Sequence, residues 1–236
     1  PFIVTFLTLG SSAIYSGINN WFDSFYRSFI PISSNNFTCS IIIICAILIA
    51  ELTQYITHRL AHTIPAIWDL HELHHSPTKM TILSGGRGTP LEQLFTAPPV
   101  IPIATLSGLL LNQYLSQGFV LPLYIYIAYI SLDVLFTTVG HSSFKLIYPK
   151  PFSYIFMSPS LHWLHHSDNP KHYNCNLSNT LCIWDRLFGT YRGEEHLKDI
   201  DSFGVKNTEY NKFHPLYAML ILPIIKLKRR VRPYII

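Results

Sequence analysis

The chain has 236 residues and a net charge of +4, and only 13% of its residues are charged while 49% are hydrophobic. An average soluble domain has about 25% charged residues, so this composition argues against a disordered chain and against an ordinary water-soluble globule. The aromatic residues lie in apolar runs rather than between basic residues, which argues against nucleic-acid binding. Histidine is unusually frequent, because its 12 residues nearly equal the 13 acidic ones. The composition therefore favours a membrane protein with metal chemistry.

Four apolar stretches are candidates for membrane-spanning helices. They cover residues 2–15, 37–57, 95–115 and 119–139, and the first is short enough to be the end of a truncated helix. The second has about twenty residues, which span a bilayer core of about 30 Å at a rise of about 1.5 Å per residue. Only residues 116–118 separate the last two stretches, so the sequence predicts that they form an antiparallel hairpin.

The basic residues predict how these helices are oriented. The four stretches leave the 16–36 loop and the short turn before Phe119 on one side of the membrane, and everything else on the other. Of the 17 Lys and Arg residues, only Arg27 falls on the first side. Because basic residues concentrate in cytoplasmic loops, the second side is predicted to be cytoplasmic.

The polar remainder is predicted to form a cytosolic helical cap from residues 58–94 and 140–212. After it, the apolar part of residues 213–236 is too short and too rich in proline to span a membrane, and it ends in a basic run. We expect this tail to lie in the membrane interface with its basic residues on anionic headgroups. The sequence thus predicts one all-α integral membrane domain with about four transmembrane helices and a cap that carries the histidines.

Nine of the 12 histidines fall in four segments that the predicted topology brings to one side of the membrane. HRLAH, HELHH and HWLHH each contain two or three of them, and one stands alone in GHSS. Since helical positions i, i+3 and i+4 share a face, each cluster is predicted to point its imidazoles in one direction. The nine are His58, His62, His71, His74, His75, His141, His162, His165 and His166.

The number and type of these side chains predict a site for two metal ions. Neutral imidazole is the commonest metal ligand in proteins and suits iron, zinc and copper. Nine ligands are too many for one ion but suit two, each with four or five nitrogens and an open position. An all-nitrogen shell without thiolates favours redox-active iron over a closed structural zinc site.

Residues around the histidines extend this pattern from about Glu51 to Tyr191. The segments are ELTQYITHRLAH (51–62), PAIWDLHELHHSP (65–77), RGTPLE (87–92), SPSLHWLHHS (158–167), Asn169-Pro170, Asn176 and WDRLFGT (184–190). Together they resemble the fatty acid hydroxylase/sterol desaturase superfamily of membrane di-iron, histidine-box oxygenases. One departure is Thr89, which stands where the family usually has histidine.

The resemblance implies that the eight boxed histidines bind two iron ions and that His141 matches the isolated histidine of the family. It implies an O2-dependent hydroxylation or desaturation at an unactivated C–H bond of a lipid, such as a sterol, fatty acyl chain, sphingoid base or alkylglycerol. No side chain beyond the metal ligands is expected to be catalytic. The chain has no haem-attachment, flavin or NAD motif, so we expect a separate electron donor such as cytochrome b5, ferredoxin or a reductase.

Four further residues are candidates for orienting the ligands. Glu51 and Asp133 lie within apolar segments, where a carboxylate is costly and usually functional. They precede predicted ligands by seven and eight residues, about two helical turns, so each could accept a hydrogen bond from an imidazole. His172 follows the last box, and Asn176 matches the asparagine of a family Asn-Tyr-Gly triplet. The last two histidines, His196 and His214, are expected to be ordinary solvated residues.

Two other functions remain open on the sequence alone. The segment HELHH contains HExxH, the signature of zinc proteases, in which His71 and His75 would bind zinc and Glu72 would be the general base. That function would use only two of the nine clustered histidines. A metal transport or storage protein is the other alternative, but it would need ligands within the bilayer, and these histidines lie outside the apolar runs.

Overall fold

The computed structural model describes residues 35–116 and 118–231, and the predicted span 2–15 lies outside them. The described residues form α-helices joined by short 3₁₀ helices, with two isolated bridges and no strand among them, which confirms the all-α prediction for this part of the chain. The α-helices are α1 Asn36–Thr63, α2 Pro65–His75, α3 Pro90–Ser116, α4 Leu121–Gly140, α5 His162–His165, α6 Ile183–Leu187, α7 Pro215–Leu220 and α8 Leu222–Val231. The 3₁₀ helices are Ile82–Gly86, Phe152–Tyr154, Pro159–Leu161, Pro170–His172, Glu194–Asp199 and Tyr210–Lys212.

Two of the described helices, α1 and α4, are long and apolar enough to cross a membrane. They contain the greater part of the predicted spans 37–57 and 119–139. Only 11% of the most apolar window of α4 is buried against the rest of the protein. Most of its apolar surface is therefore exposed, which is typical of a surface that contacts a membrane or a partner. The third predicted span, 95–115, lies within α3 and is helical as expected. The full set of four spans and the cytosolic side of the cap stay predictions.

Helix α1 is longer than the predicted span and carries the first histidine box on its last two turns. The residue before it, Asn35, is the N-cap, and its side chain accepts a hydrogen bond from the backbone N–H of Thr38 at 2.9 Å, an arrangement that stabilises a helix start. The helix ends at Thr63 because the extended residue Ile64 precedes Pro65, and proline disfavours a helical residue before it. Pro65 then starts α2 at once. The first two boxes therefore lie on consecutive helices with one residue between them.

The apolar core of the helices is centred on α1 rather than on a hairpin of α3 and α4. Both α3 and α4 contact α1 more extensively than they contact each other. A loop residue from the cap, Leu181, is buried in the same cluster, so the cap is anchored in the helical layer. The buried members of the cluster are Cys39, Ile43, Ile47, Leu110, Leu111, Tyr114 and Leu181.

The third histidine box lies against the end of α4. The 3₁₀ helix Pro159–Leu161, which leads into α5, contacts α4. Phe136 of α4 is buried in one apolar cluster with Leu161 and Leu164 on either side of His162. This packing brings the box next to His141, the residue that follows the last turn of α4.

The last helices pack on α2, and their basic side chains pair with acidic groups of the protein. Lys226 is bonded to Glu72, and Arg230 makes a two-pronged contact with Asp69, with nitrogen–oxygen distances of 2.6 and 2.9 Å. Asp69 and Glu72 are buried carboxylates on α2, and a buried charge needs a partner. The position of the tail in the membrane interface stays a prediction.

Candidate metal centre

All nine predicted histidines come together in two adjacent groups. In each group every residue offers a ligand nitrogen, and these nitrogens lie within 4.8 Å of one another. The five-histidine group is His58, His62, His71, His75 and His165, and the four-histidine group is His74, His141, His162 and His166.

The second and third boxes are each divided between the two groups. From HELHH, His71 and His75 join the five-histidine group while His74 joins the four-histidine group. HWLHH is divided in the opposite sense, with only its middle member, His165, in the five-histidine group. Adjacent helical residues point about 100° apart, so two consecutive histidines join two different histidine groups. The prediction that all imidazoles of a box point in one direction is therefore wrong for these two boxes.

The spacing of the nitrogens fits metal coordination. In the five-histidine group, His71 Nε2 lies 3.2 Å from His58 Nε2 and 3.1 Å from His75 Nε2. Two nitrogens that each lie about 2.1 Å from one ion, at a right angle, are about 3.0 Å apart. The Nε2 atoms of His62 and His165 are buried and have no hydrogen-bond partner, which is costly unless an ion binds them.

The four-histidine group shows the same arrangement. His162 Nε2 lies 3.1 Å from His141 Nε2 and 3.0 Å from His166 Nε2. His141 Nε2 is in turn 3.3 Å from His74 Nε2. All four rings therefore direct the same nitrogen inward, and the residues present fit two metal ions, one in each group.

The outward nitrogens of five rings are held by hydrogen bonds. An Nδ1–H that donates to a carbonyl or carboxylate leaves Nε2 as the free lone pair and fixes the direction of the ring. Four of the acceptors are backbone carbonyl oxygens and one is a carboxylate. The pairs are His58 with Leu177 at 2.7 Å, His165 with Cys175 at 2.9 Å, His74 with Arg87 at 3.1 Å, His141 with Thr137 at 3.2 Å and His71 with Glu92 at 2.6 Å.

Glu92 is the one carboxylate in this set, and the sequence analysis did not single it out as a site residue. It lies in the first turn of α3, where Thr89 accepts a hydrogen bond from its backbone N–H at 3.1 Å. The Thr89 hydroxyl also donates to the carbonyl of Leu70, so the residue that departs from the family pattern stabilises the start of α3 against α2. The RGTPLE motif was the signal that could have identified Glu92.

Burial keeps the clustered histidines neutral. It lowers the pKa of His71 to about 3 and moves the pKa values of His75, His162 and His166 well below the ordinary value of a histidine. A neutral imidazole has the free lone pair that a metal requires, so these side chains are ready to bind at neutral pH.

Glu51 and Asp133 bind a loop rather than an imidazole. Glu51 accepts hydrogen bonds from the Tyr129 hydroxyl at 2.8 Å and from the Leu181 backbone N–H at 3.1 Å. Asp133 accepts two from the side chains that precede Leu181, at 2.6 and 2.7 Å. The carboxylates therefore fasten residues 179–181 to α1 and α4, and the expected bond from each to a histidine is replaced by this anchoring role.

Asn176 also acts on the backbone. Its side chain donates to the carbonyls of Leu161 and Arg192 and accepts from the Arg192 N–H at 2.8 Å, and its φ of 49° lies in the left-handed region that asparagine tolerates. The residues on either side of it, Cys175 and Leu177, supply the carbonyls that hold His165 and His58. Asn176 therefore positions ligands through the chain, without contact to a ring.

His172 belongs to neither histidine group. Its side chain is buried, and its Nδ1 is hydrogen-bonded to the Ser167 hydroxyl at 3.0 Å. The structure places it beside His196 and Asp199 instead.

Glu72 is bound on both carboxylate oxygens by groups outside the histidine groups. Lys226 contacts Oε2, and the Thr208 hydroxyl donates to Oε1 at 2.7 Å. A general base for peptide hydrolysis must reach a metal-bound water, and this carboxylate is engaged elsewhere. The arrangement does not favour the zinc-protease alternative.

Gly85 is a further residue near the histidines, and its glycine-rich segment does not match a nucleotide-binding motif. A Cβ at this position would lie 2.8 Å from Nδ1 of His141, whereas a Cβ at the neighbouring Gly86 would meet nothing within 4 Å. The absence of a side chain at Gly85 therefore lets the 3₁₀ helix Ile82–Gly86 pack directly on a predicted ligand.

Two cavities reach the histidines, and they share none of them. The larger has a volume of about 540 Å³ and is also lined by polar residues of α1 and α3. The smaller has a volume of about 420 Å³ and is bordered by Trp68 and Tyr173. Among the clustered histidines, His58, His71, His74, His141 and His162 line the larger cavity, and His62, His75 and His165 line the smaller.

Comparison with known proteins gives a consistent result. The fatty acid hydroxylase family model matches residues 43–190. The chain is 31% identical over 150 residues to the ornithine lipid hydroxylase OlsE of Rhizobium tropici. The matched region covers 63% of this chain and 41% of that protein. It is also 26% identical over 177 residues to the alkylglycerol monooxygenase of Caenorhabditis elegans. That match covers 72% of this chain and 32% of the relative.

A third relative is the fatty acid hydroxylase vlmA of Lecanicillium sp, 26% identical over 155 residues, with 61% of this chain and 40% of that protein covered. The chain thus spans less than half the length of each of these three relatives. No solved structure matches the chain.

Proposed function

Because the chain belongs to the fatty acid hydroxylase family, we propose that it is a membrane-bound, di-iron, O2-dependent enzyme that hydroxylates an unactivated C–H bond of a lipid. The observation that carries this proposal is the pair of histidine groups, with five and four nitrogens, at the wall of a cavity. The relatives named for ornithine lipid and for alkylglycerol are a hydroxylase and a monooxygenase, which favours hydroxylation over desaturation.

In this proposal the protein side chains would hold the metal ions, keep the imidazole rings oriented and enclose the site. They would not react themselves. When bound, a pair of iron ions would supply the activation of O2 that attack on an unactivated C–H bond requires. The inward Nε2 atoms would bind the ions, and the five outward hydrogen bonds would keep the rings in place before the metal arrives. Burial of the histidines would limit the contact of the centre with bulk water, which would protect it from side reactions.

The larger cavity is the proposed substrate site. It contacts both histidine groups, and its wall also includes Gln54, Arg87, Gln93 and Asn179. We propose that a lipid chain enters from the bilayer between the long helices and places a methylene near the histidines. The amide and guanidinium groups would then bind the polar head of the lipid.

The remaining parts of the proposal concern the surroundings of the enzyme. We propose a multi-pass protein whose histidines and C-terminal end face the cytoplasm, on the support of the distribution of basic residues along the chain. We propose that electrons would come from a separate donor such as cytochrome b5, ferredoxin or a reductase.

Metal analysis of the anaerobically purified protein tests the proposed centre. We expect about two iron ions per chain in the wild type and a clear loss of iron in His165→Ala, whose Nε2 is buried without another partner. The matched control is His214→Ala, since His214 is an exposed histidine outside both groups. One zinc ion per chain together with a peptidase activity that Glu72→Gln abolishes would overturn the proposal.

Lipid analysis tests the reaction. Cells that express the wild type or His214→Ala should contain a hydroxylated lipid that is missing from cells with His165→Ala and from cells without the protein. Labelling with ¹⁸O2 should place the heavy isotope in the new hydroxyl group. The absence of any oxidised or unsaturated lipid that depends on the protein would contradict the assignment.

A further inference from the structure

A third cluster of ligand-type side chains lies outside the two histidine groups. It consists of His172, His196 and Asp199, each of which offers a ligand atom within 4.8 Å of the others. None of the three belongs to the five- or four-histidine group, so this cluster is a separate feature of the fold.

His172 is the buried member and has an unused nitrogen. Its residue is 1% exposed, and its Nδ1 is hydrogen-bonded to the Ser167 hydroxyl at 3.0 Å. Its Nε2 is buried and has no hydrogen-bond partner. A buried polar atom without a partner is costly, and the great majority of such atoms in native proteins are satisfied by a protein group, a water or an ion.

His196 and Asp199 lie on a different 3₁₀ helix from His172. They lie three residues apart on the 3₁₀ helix Glu194–Asp199, where side chains at this spacing share a face. His196 Nδ1 is 3.7 Å from Asp199 Oδ2, and the two side chains keep 39% and 42% of their surface exposed. They are therefore accessible to an ion from solvent. His196 Nε2 also lies 3.6 Å from Glu195 Oε1 on the same 3₁₀ helix.

The two elements are already held together without a metal. The side chain of Asn169, which precedes the 3₁₀ helix Pro170–His172, donates to the backbone carbonyl of Asp199 at 2.9 Å. This bond keeps His172 opposite His196, so little ordering is needed for an ion to bind.

We propose that His172, His196 and Asp199 form a third metal site, which takes a zinc ion. Two imidazoles and one carboxylate are a ligand set that zinc binds, with a water or solvent molecule in the fourth position of a tetrahedron. The ion would satisfy His172 Nε2 and balance the charge of Asp199.

The position of the site suggests what the zinc does. His172 lies between the last histidine box and the residues Cys175 and Leu177, whose carbonyls hold His165 and His58. A zinc ion that joins His172 to the helix Glu194–Asp199 clamps this segment from outside. The site is therefore structural, and it acts on the metal centre only through the backbone.

Zinc binding to the iron-loaded full chain tests the proposal. The detergent-solubilised protein is dialysed against zinc sulfate, and zinc and iron are both counted per chain. We expect the wild type to take up about one zinc ion without loss of iron, and His196→Ala and Asp199→Asn to bind it roughly tenfold or more weakly. Both changes are at partly exposed side chains, so the variants should fold, and His214→Ala is the matched control.

A second readout does not depend on the iron content. Zinc should raise the midpoint of thermal unfolding of the wild type and of His214→Ala, but not that of the other two variants. If the nine histidines hold zinc instead of iron, the two variants should still contain one zinc ion fewer than the wild type, so failure of the proposed function is distinguishable. Equal zinc affinity in wild type and variants, or uptake of zinc only in exchange for iron, would refute the third site.

Discussion

Single residues around the histidine groups determine the direction in which each imidazole points. Four backbone carbonyls and one carboxylate accept the Nδ1–H groups, and each leaves Nε2 facing a group of other Nε2 atoms. A bond of this kind selects one of the two neutral forms of the ring before a metal binds. Among these acceptors only the Glu92 carboxylate belongs to a side chain, so a substitution there should weaken metal binding while all nine ligands remain present.

Glu92→Gln tests this effect at the shortest of the five bonds. The glutamine has nearly the same size, but its amide oxygen is a weaker acceptor than a carboxylate for the His71 Nδ1–H. We expect iron affinity or hydroxylation rate to fall roughly 10- to 100-fold. Iron content after dialysis against a chelator is the measurement, with Asp201→Asn as the exposed-carboxylate control. Equal retention of iron in both variants would show that Glu92 does not orient His71.

Gly85→Ala tests the close contact with His141. The added methyl group would lie 2.8 Å from His141 Nδ1, so either the ring or the 3₁₀ helix must move. We expect lower iron retention and lower activity than in Gly86→Ala, where the methyl group meets nothing within 4 Å. The pair differs by one position and has the same chemistry. Similar behaviour of the two variants would mean that the contact is not important.

At the scale of helices, the C-terminal α8 stabilises α2, which carries three of the nine histidines. The contact combines an apolar cluster of Leu73, Tyr210, Ala218 and Leu222 with ion pairs to Asp69 and Glu72. Helix α8 makes another ion pair outside α2, between Arg229 and Glu209 at 2.9 Å, and it is less buried than the pair of Lys226 and Glu72. The Lys226 and Glu72 side chains are 13% and 9% exposed, whereas the Arg229 and Glu209 side chains are 60% and 37% exposed.

This difference in burial predicts two different costs. Lys226→Met leaves a buried carboxylate without its partner and should destabilise the protein by about 3 kcal/mol. Arg229→Met removes an exposed pair and should cost less than about 1 kcal/mol. The loss of stability of each variant is measured by thermal unfolding in detergent, and the two losses are compared. A larger loss for Arg229→Met would contradict the assignment of the stabilising contact to Glu72.

At the scale of the whole molecule, the buried histidines make stability depend on pH. Burial lowers the pKa of His71 to about 3 and also lowers those of His75, His162, His165 and His166. In the unfolded chain the pKa of a histidine is about 6.5. Below that pH the unfolded state therefore binds protons that the folded state does not, and the free energy of unfolding decreases as the pH falls toward the folded values.

We therefore expect the midpoint of thermal unfolding of the metal-free protein to fall steadily between about pH 7 and pH 5. The matched control is His214→Ala, at an exposed histidine outside both histidine groups. A midpoint that stays constant or rises on acidification would show that these histidines are not buried in their neutral form.

Much of the candidate site follows from local sequence. HELHH and HWLHH already contain the i, i+3 and i+4 spacings that put imidazoles on helix faces, and the apolar runs already predict two helices that meet the length and composition needed to cross a membrane. The family resemblance, which rests on contiguous motifs, is confirmed by the match over residues 43–190. These features depend on neighbours within a few turns, so they can be deduced without the fold. The roles of the nine histidines as iron ligands stay a prediction.

The features that the sequence left open depend on contacts between distant parts of the chain. His58 and the carbonyl of Leu177 are 119 residues apart, and Lys226 and Glu72 are 154 apart. The division of the second and third boxes between two groups, the role of Glu92 and the pairing of the basic tail with α2 likewise arise only when separate helices are packed together. The sequence by itself determined which side chains could bind metal, because ligand type and helical spacing are local. Only the tertiary structure decided which nitrogen faces which group, because that depends on hydrogen-bond partners that packing brings from elsewhere in the chain.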